Sequence, residues 1–525
     1  MKKIYTTNTI ILAITLLLGT GCEDMLEEQF VSDLGSSNFP SVETADILLN
    51  EVYQDWGHTY QNHRMGWPVE MPTPAMQYSY RSTGPIERHE LNTWDWSVNV
   101  ATYDLMDRIW VAVRTANDAI QLIAGVEGIE AERRAGMVAE AKVLRSMLYF
   151  NMVRLWGGVP IVDKPQTLAD DLFPSRVSIA ETYAFIVKGL EEAIVDLPTR
   201  SEYNAMGIPA GHITKGGAQG ILAKVYLTMA GEPLQDPSNL QDARDLLEEV
   251  INSGEWALVQ SATPYEDLWD WQNEFNDERM IDVQKEGEGQ NYRGMFGYFT
   301  PQVASAGVWT STAAYSSGSA LDGIPPEYVE WYEARDSGPR FQWTIVKEFV
   351  AESTFNKWVP GDIVRYNDGN RAQGYIGKYR AVGYPLSSNF ACPNNFPVLR
   401  YADILLMHSE VTNEMGTADY TGLNATRVRA GLAPLSGLSK DQFRDSVFIE
   451  RELELAYEQN LLFDMKRKGF AYTQSRLNGF FVPGQNNYGR DYAGLLNLTD
   501  RNRMLFPYPL DQLSQNPNLV QNPGY

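Results

Sequence analysis

Residues 137–156 place Met137, Ala141, Leu144, Leu148, Met152 and Leu155 at spacings of four, three, four, four and three. That rhythm lays one apolar stripe along one face of a helix, and such a stripe must be covered by other helices. Gly157 and Gly158 end the helix, and Pro160 prevents its resumption. Met106, Ile109, Trp110, Val113, Asn117 and Ile120 repeat the pattern in 103–123, and further helical patterns occupy 41–55, 178–195, 215–230 and 241–253. Ser178 and Glu181 have the spacing of a capping box. Short Gly- and Pro-rich loops at 157–160, 197–198 and 231–233 separate these stretches. The pattern predicts a mainly α fold of stacked helix pairs, with Trp110 and Trp156 packed in its core.

Between about 255 and 400 the character changes. Gly, Ser, Pro, Tyr and Trp rise, and Ala304 to Gly323 holds few large side chains beyond Val308, Trp309, Tyr315 and Leu321. Met280 to Gln284 and Ile345 to Phe349 read as short strands. Helices are expected again at 401–415 and 440–468. Phe506-Pro507-Tyr508-Pro509 and Asn516 to Tyr525 are too rich in Pro and Asn to be helical throughout. The chain thus divides into a helical part, about 22–254, and a loop-rich part, about 255–525, preceded by a leader at 1–21.

The leader is read from Lys2, Lys3 and the apolar run Ile10 to Leu18, the pattern of an export signal. Nine residues rise only about 14 Å as a helix, under half of a hydrocarbon layer of about 30 Å. Gly19, Thr20 and Gly21 lead into Cys22, which resembles a lipobox cleaved before a diacylated cysteine. Acyl chains contribute about 0.8 kcal/mol per buried methylene, so two or three of them anchor stably. Glu23 and Asp24 follow at once and resemble a surface-export signal. Only two cysteines exist, so a lipidated Cys22 leaves Cys392 without a partner and excludes a disulfide framework. A formal charge of −24 repels phosphate backbones and argues against nucleic acid. Aromatics make up 12% of the chain, with 13 Trp and 28 Tyr, more than a helical core alone requires.

Five stretches then carry a resemblance. The run Ala139 to Pro160, the blocks Arg400 to Glu410, Arg427 to Leu432 and Glu450 to Arg467, and the close from Phe506 to Tyr525 together resemble the SusD/RagB family of outer-membrane nutrient-binding lipoproteins. The resemblance implies a tetratricopeptide-like scaffold of helix pairs with the ligand site on irregular loops. It also implies a SusC-like, TonB-dependent outer membrane transporter as partner, with this chain as its surface lid and a glycan as ligand. Arg145, Arg154, Arg400, Glu450, Arg451 and Asp464 fall in the matching blocks and are expected as internal ion pairs and caps.

Rings that bind a ligand must be exposed, so they are sought outside the stripes. Two clusters qualify. One runs from Trp67 through Tyr78, Tyr80 and Arg81 to Trp94, Trp96 and Asn99; in an extended segment Trp94 and Trp96 face the same side. The other is Trp309 and Tyr315, among small residues. An indole can cover the C–H face of a sugar while Arg, Asn or Asp bonds its hydroxyls. The resemblance places such groups in corresponding regions of a starch-binding relative. Catalytic signals are poor: five His and no HExxH, G-x-S-x-G or P-loop pattern. No cofactor is expected, although Asp and backbone oxygens could build a structural Ca2+ site without an EF-hand loop. The leading expectation is non-catalytic glycan binding. A RagB-like peptide binder and a surface glycoside hydrolase are the alternatives, the latter requiring two carboxylates about 5–9 Å apart in a cleft.

Overall fold

The computed structural model describes residues 42–60, 62–78, 86–97, 104–285, 303–305, 308–311, 322–351, 359, 361–366, 374–379, 394–480 and 496–525. The expected helices form where the stripes lie: α1 is Val42–Thr59, α2 Leu105–Ala124, α3 Ala131–Trp156, α4 Ile179–Asp196, α5 Lys215–Ala230 and α6 Leu240–Ser253. Each packs on the next in sequence, so that α3 is covered on both sides and almost every residue from Met137 to Trp156 is buried. Ser178 accepts the Glu181 N–H at 3.1 Å and Glu181 accepts the Ser178 N–H at 2.9 Å, completing the capping box of α4. At the other end of α3, Gly157 adopts a φ of 81°, and a Cβ on Gly158 would meet the Val177 carbonyl at 2.0 Å. Only glycine permits that approach of two chain segments. No described helix is long and apolar enough to cross a membrane.

The second half supplies short sheets. β1 (Gln77–Tyr78) pairs antiparallel with β5 (Asp322–Gly323), and β2 (Arg279–Val283) with β10 (Phe396–Arg400). β3 (Val303–Ser305), β4 (Val308–Ser311), β7 (Glu348–Ala351) and β8 (Ile363–Arg365) form a four-stranded sheet in that order, and β6 (Ile345–Val346) pairs with β9 (Tyr375–Ile376). The strands expected at 280–284 and 345–349 are thus present, the second divided between β6 and β7. α7 (Pro326–Glu333) follows β5, and α8 (Tyr401–Glu414) and α9 (Tyr420–Arg429) follow β10.

The single helix expected over 440–468 is two, α10 (Lys440–Glu454) and α11 (Leu461–Lys468). Tertiary bonds take the groups that a continuous helix would need. Lys378 and Arg400 donate to the Glu454 carbonyl at 2.7 and 3.1 Å, Tyr379 to the Tyr457 carbonyl at 2.8 Å, and Glu70 accepts the Gln459 N–H at 2.9 Å. Tyr457 and Gln459 turn left-handed, with φ of 62° and 59°.

Around this break lies a buried ion network. Arg400 bonds Glu278, Glu454 and Glu458, Arg429 bonds Glu278 and Glu454, and Arg340 bonds Asp336, Glu450 and Glu454. Burial alone would raise the Glu454 carboxyl, but Arg429, Arg400 and Arg340 hold it well below the usual range. Arg451 joins Asp403 and Asp464 in the same way. Arg400, Glu450, Arg451 and Asp464 are therefore the internal ion pairs expected. Arg145 and Arg154 differ. Arg145 bonds Asn117 and the Asp163 carbonyl, and Arg154 lies between the Phe150 and Phe463 rings at 3.8 and 3.7 Å, so hydrogen bonds and rings satisfy them in place of carboxylates.

Candidate ligand-binding face

The register of one small sheet brings distant segments together. Tyr78 pairs with Asp322 and Gln77 with Gly323, so the end of β1 lies against the start of β5. The chain leaves β1 toward Tyr80 and Arg81, and it enters β5 from the segment that carries Tyr315. Trp309 stands on β4, one residue before Thr310, which pairs with Val350 of β7. A second tie joins the same half to the N-terminal part, where Asn497 donates its N–H to the Thr93 carbonyl at 2.7 Å and its side-chain amide to Asp95 at 2.7 Å. Tyr80, Arg81, Asn99, Tyr315, Cys22 and Cys392 lie outside the described residues, as do the side chains of Tyr78 and Trp309.

Three expected ligand rings are corrected by the structure. Trp67, Trp94 and Trp96 are 7%, 0% and 1% exposed. Trp94 closes the helix Ile86–Thr93 with a φ of 57°, so the segment is not extended and both indoles turn inward. They stack at 4.7 Å, Trp96 continues onto Phe506 at 4.0 Å, and the Trp94 indole N–H is held by the Pro72 carbonyl at 2.9 Å. No face of either ring is left for a sugar. Phe506, which covers Trp96, comes from the far end of the chain, and no local pattern signals it. Trp156 is buried as expected, whereas Trp110 lies only half-buried at the core's edge.

Two clefts open on the helical part. One, of about 890 Å³, lies between α1, the 207–212 loop and the end of β2. Its lining residues Tyr53, Arg133 and His212 meet the buried Glu140 carboxylate, which accepts from Tyr53 and Tyr203 and lies 2.8 Å from His212 Nδ1, with Arg133 at 3.6 Å. Tyr53, Tyr203 and His212 satisfy the carboxylate, and the cluster ties α1, α3 and the 207–212 loop. The other cleft, of about 780 Å³, is lined by α2, the 160–174 loop and the C-terminal tail. Trp110, Arg114 and Asp118 line it from α2 at intervals of four residues, and Phe173 lines it from the loop. Burial raises the carboxyls of Asp107 and Asp118 above the usual range. The spacing of Trp110, Arg114 and Asp118 was the available signal, masked by reading Trp110 as core. Among the described residues, no group of three or more His, Cys, Asp or Glu side chains could hold a metal ion.

Residues 271–525 match the SusD family, and residues 29–227 match a family described as starch-binding and associating with the outer membrane. The chain belongs to the SusD family. It is 25% identical over 553 residues, the whole of both chains, to SusD-like protein P2 of Formosa agariphila. It is 22% identical to the starch-binding protein SusD of Bacteroides thetaiotaomicron, over 87% of this chain and 84% of that one. A crystal structure of a SusD homolog from Bacteroides thetaiotaomicron superposes with a TM-score of 0.77 at 22% identity, covering 93% of this chain and 98% of the other. The helix-pair scaffold with its short strands is therefore the SusD fold, in a family of glycan-binding proteins that associate with the outer membrane.

Proposed function

We propose that this chain is a non-catalytic glycan-capture protein of the cell surface. In this reading residues 1–21 are removed, Cys22 carries the lipid anchor at the outer membrane, and the body faces the exterior. Captured oligo- or polysaccharide passes to a SusC-like, TonB-dependent transporter beneath it. The observation that supports the reading is the pairing of β1 with β5, because Tyr80 and Arg81 follow β1 in sequence and Tyr315 precedes β5. Trp309 and Tyr315 would cover C–H faces, and Arg81 and Asn99 would bond hydroxyls. Each ring that removes roughly 50 Å² of apolar surface from water contributes about 1.2 kcal/mol, so several must act together. With Trp67, Trp94 and Trp96 in the core, these four residues and Tyr80 form the proposed contact set.

The test is a glycan array, with a peptide library printed alongside, probed with soluble protein that begins after Cys22. Retention on one glycan class, with the glycan recovered intact, is expected. Retention on peptides alone would favour the RagB-like alternative, and shortened glycan would favour a hydrolase; either result overturns the reading.

A further inference from the structure

The cleft beside α2 has the chemistry of a sugar site in its own right. Trp110, Arg114 and Asp118 stand at i, i+4 and i+8, on one face of the helix. At about 1.5 Å per residue the row spans roughly 12 Å, long enough for more than one pyranose ring. Trp110 meets Tyr149 edge-on, with ring centroids 6.2 Å apart, which fixes the indole while leaving it half-exposed. Across the cleft, the Phe173 ring is 47% exposed although its backbone is held firmly. Asn518 donates to the Phe173 carbonyl at 2.7 Å, Asn516 to the Pro174 carbonyl at 3.0 Å, and Asp171 accepts the Phe173 N–H at 2.9 Å. The ring is thus displayed by a preformed wall.

The polar groups narrow the ligand class. Trp110, Arg114, Asp118 and Gln515 have no hydrogen-bond partner among the described residues, so an indole N–H, a guanidinium, a carboxylate and an amide are all free to bond a ligand. An apolar ligand would strip water from Arg114 and Asp118, which feel each other's charge but share no hydrogen bond, and that is costly. An anionic ligand finds no matching field either, because Lys164 is held by Asp170 at 2.6 Å and Arg114 shares the lining with the carboxylates of Asp107 and Asp118. Partly exposed rings that line one cleft with donors and acceptors the protein leaves unfilled suit a molecule with apolar faces and a hydroxylated rim. Small-ligand clefts run about 300–1,000 Å³, and the 780 Å³ of this one is in that range.

We propose that this cleft is a second binding subsite for a neutral oligosaccharide, in which Trp110 and Phe173 take the C–H faces of the sugar and Arg114 and Asp118 its hydroxyls. It rests on the glycan-capture reading for the choice of ligand class, but on none of the residues assigned to the loops around β1 and β5.

The experiment uses the mature chain without its lipid, labelled with 5-fluorotryptophan, and assigns the Trp110 resonance by Trp110→Phe. A panel of neutral hexasaccharides of gluco, xylo, manno and galacto configuration is titrated in. At least one should move the Trp110 resonance saturably. Arg114→Ala and Asp118→Asn, both checked for unchanged melting, should weaken that response by about fivefold or more, as expected for hot-spot contacts. Trp309→Ala should leave it intact. The proposal is overturned if no sugar moves the resonance, if both α2 variants respond as the parent does, or if the resonance moves only on addition of the purified transporter, which would make the cleft a protein contact. Loss of the response in Trp309→Ala would also overturn it, by showing that the resonance reports the loop site. A persisting cleft response in Trp309→Ala and Tyr315→Ala, with the total glycan affinity measured by calorimetry also unchanged, would instead refute the loop assignment and leave this subsite standing.

Discussion

Phe506, near the C-terminus, stacks on Trp96 with ring centroids 4.0 Å apart and 30° between planes. The contact closes the chain on itself, since Trp96 in turn stacks on Trp94 and Phe506 leans on Trp156 at the end of α3. The Phe506 N–H also bonds the Leu155 carbonyl at 2.8 Å. Truncating either ring to Ala should cost about 3–5 kcal/mol of stability. Because the two rings share one contact, the double variant should lose less than the sum of the singles. Denaturant unfolding of the four proteins in the cycle measures this, and strict additivity would show that the stack contributes nothing beyond burial.

At the proposed glycan contacts on β4 and in the segment before β5 the opposite balance is expected. Trp309→Ala and Tyr315→Ala should each cost at least about 1 kcal/mol of glycan affinity. Melting should barely move, because the proposed role requires exposed rings and surface substitutions stay within about 0.5 kcal/mol. Calorimetric titration beside thermal melting separates the two, and variants that bind normally would remove these rings from the site.

The helices were legible because their stripes repeat within one segment and need no knowledge of the partner. α10 and α11 could not be separated in that way. The groups that interrupt them, Lys378, Arg400, Tyr379 and Glu70, lie far off in sequence and act only once the fold has formed. The same holds for Trp94 and Trp96. Period-2 alternation made them a platform on the assumption of an extended segment, and the positive φ at Trp94 and the arrival of Phe506 removed that premise. Trp110 failed in the other direction, since a residue at the edge of its stripe can face a cleft as well as a core.

Anchoring is tested at Cys22. Replacement by Ala should abolish acylation and move the protein from the membrane to a soluble fraction, because no described helix can hold it there. Metabolic labelling with a clickable fatty acid and fractionation report both. Continued labelling and membrane retention in that variant would falsify the lipoprotein reading.

The buried titratable groups set a pH dependence whose sign can be worked out. Burial is the largest cause at Glu70 and raises its carboxyl to about 7, against 4.5 ordinarily, despite the Gln459 N–H and nearby Lys378. Glu274 is raised to about 7 and Asp282 to about 6, again chiefly by burial. Between the unfolded and folded values the native state binds more protons than the unfolded chain, so stability falls as pH rises from about 4.5 to 7. The depressed carboxyls, Glu454 and Asp403 among them, contribute stability that is present throughout this window and lost only at lower pH. Above it the lysines act. Burial lowers Lys466 to about 7 and Lys378 to about 8, so the unfolded chain binds more protons between those values and 10.5, and stability rises again with pH. A minimum of stability near pH 7 is therefore expected, with higher melting temperatures near pH 5 and pH 9. Glu70→Gln keeps an acceptor for the Gln459 N–H while removing the titration, and should flatten the acidic side by an amount on the order of 3 kcal/mol or less. Melting from pH 4.5 to 10 on the parent and this variant measures it. A maximum near neutrality in the parent, or an unchanged acidic slope in Glu70→Gln, would mean that Glu70 is ionised in the native core.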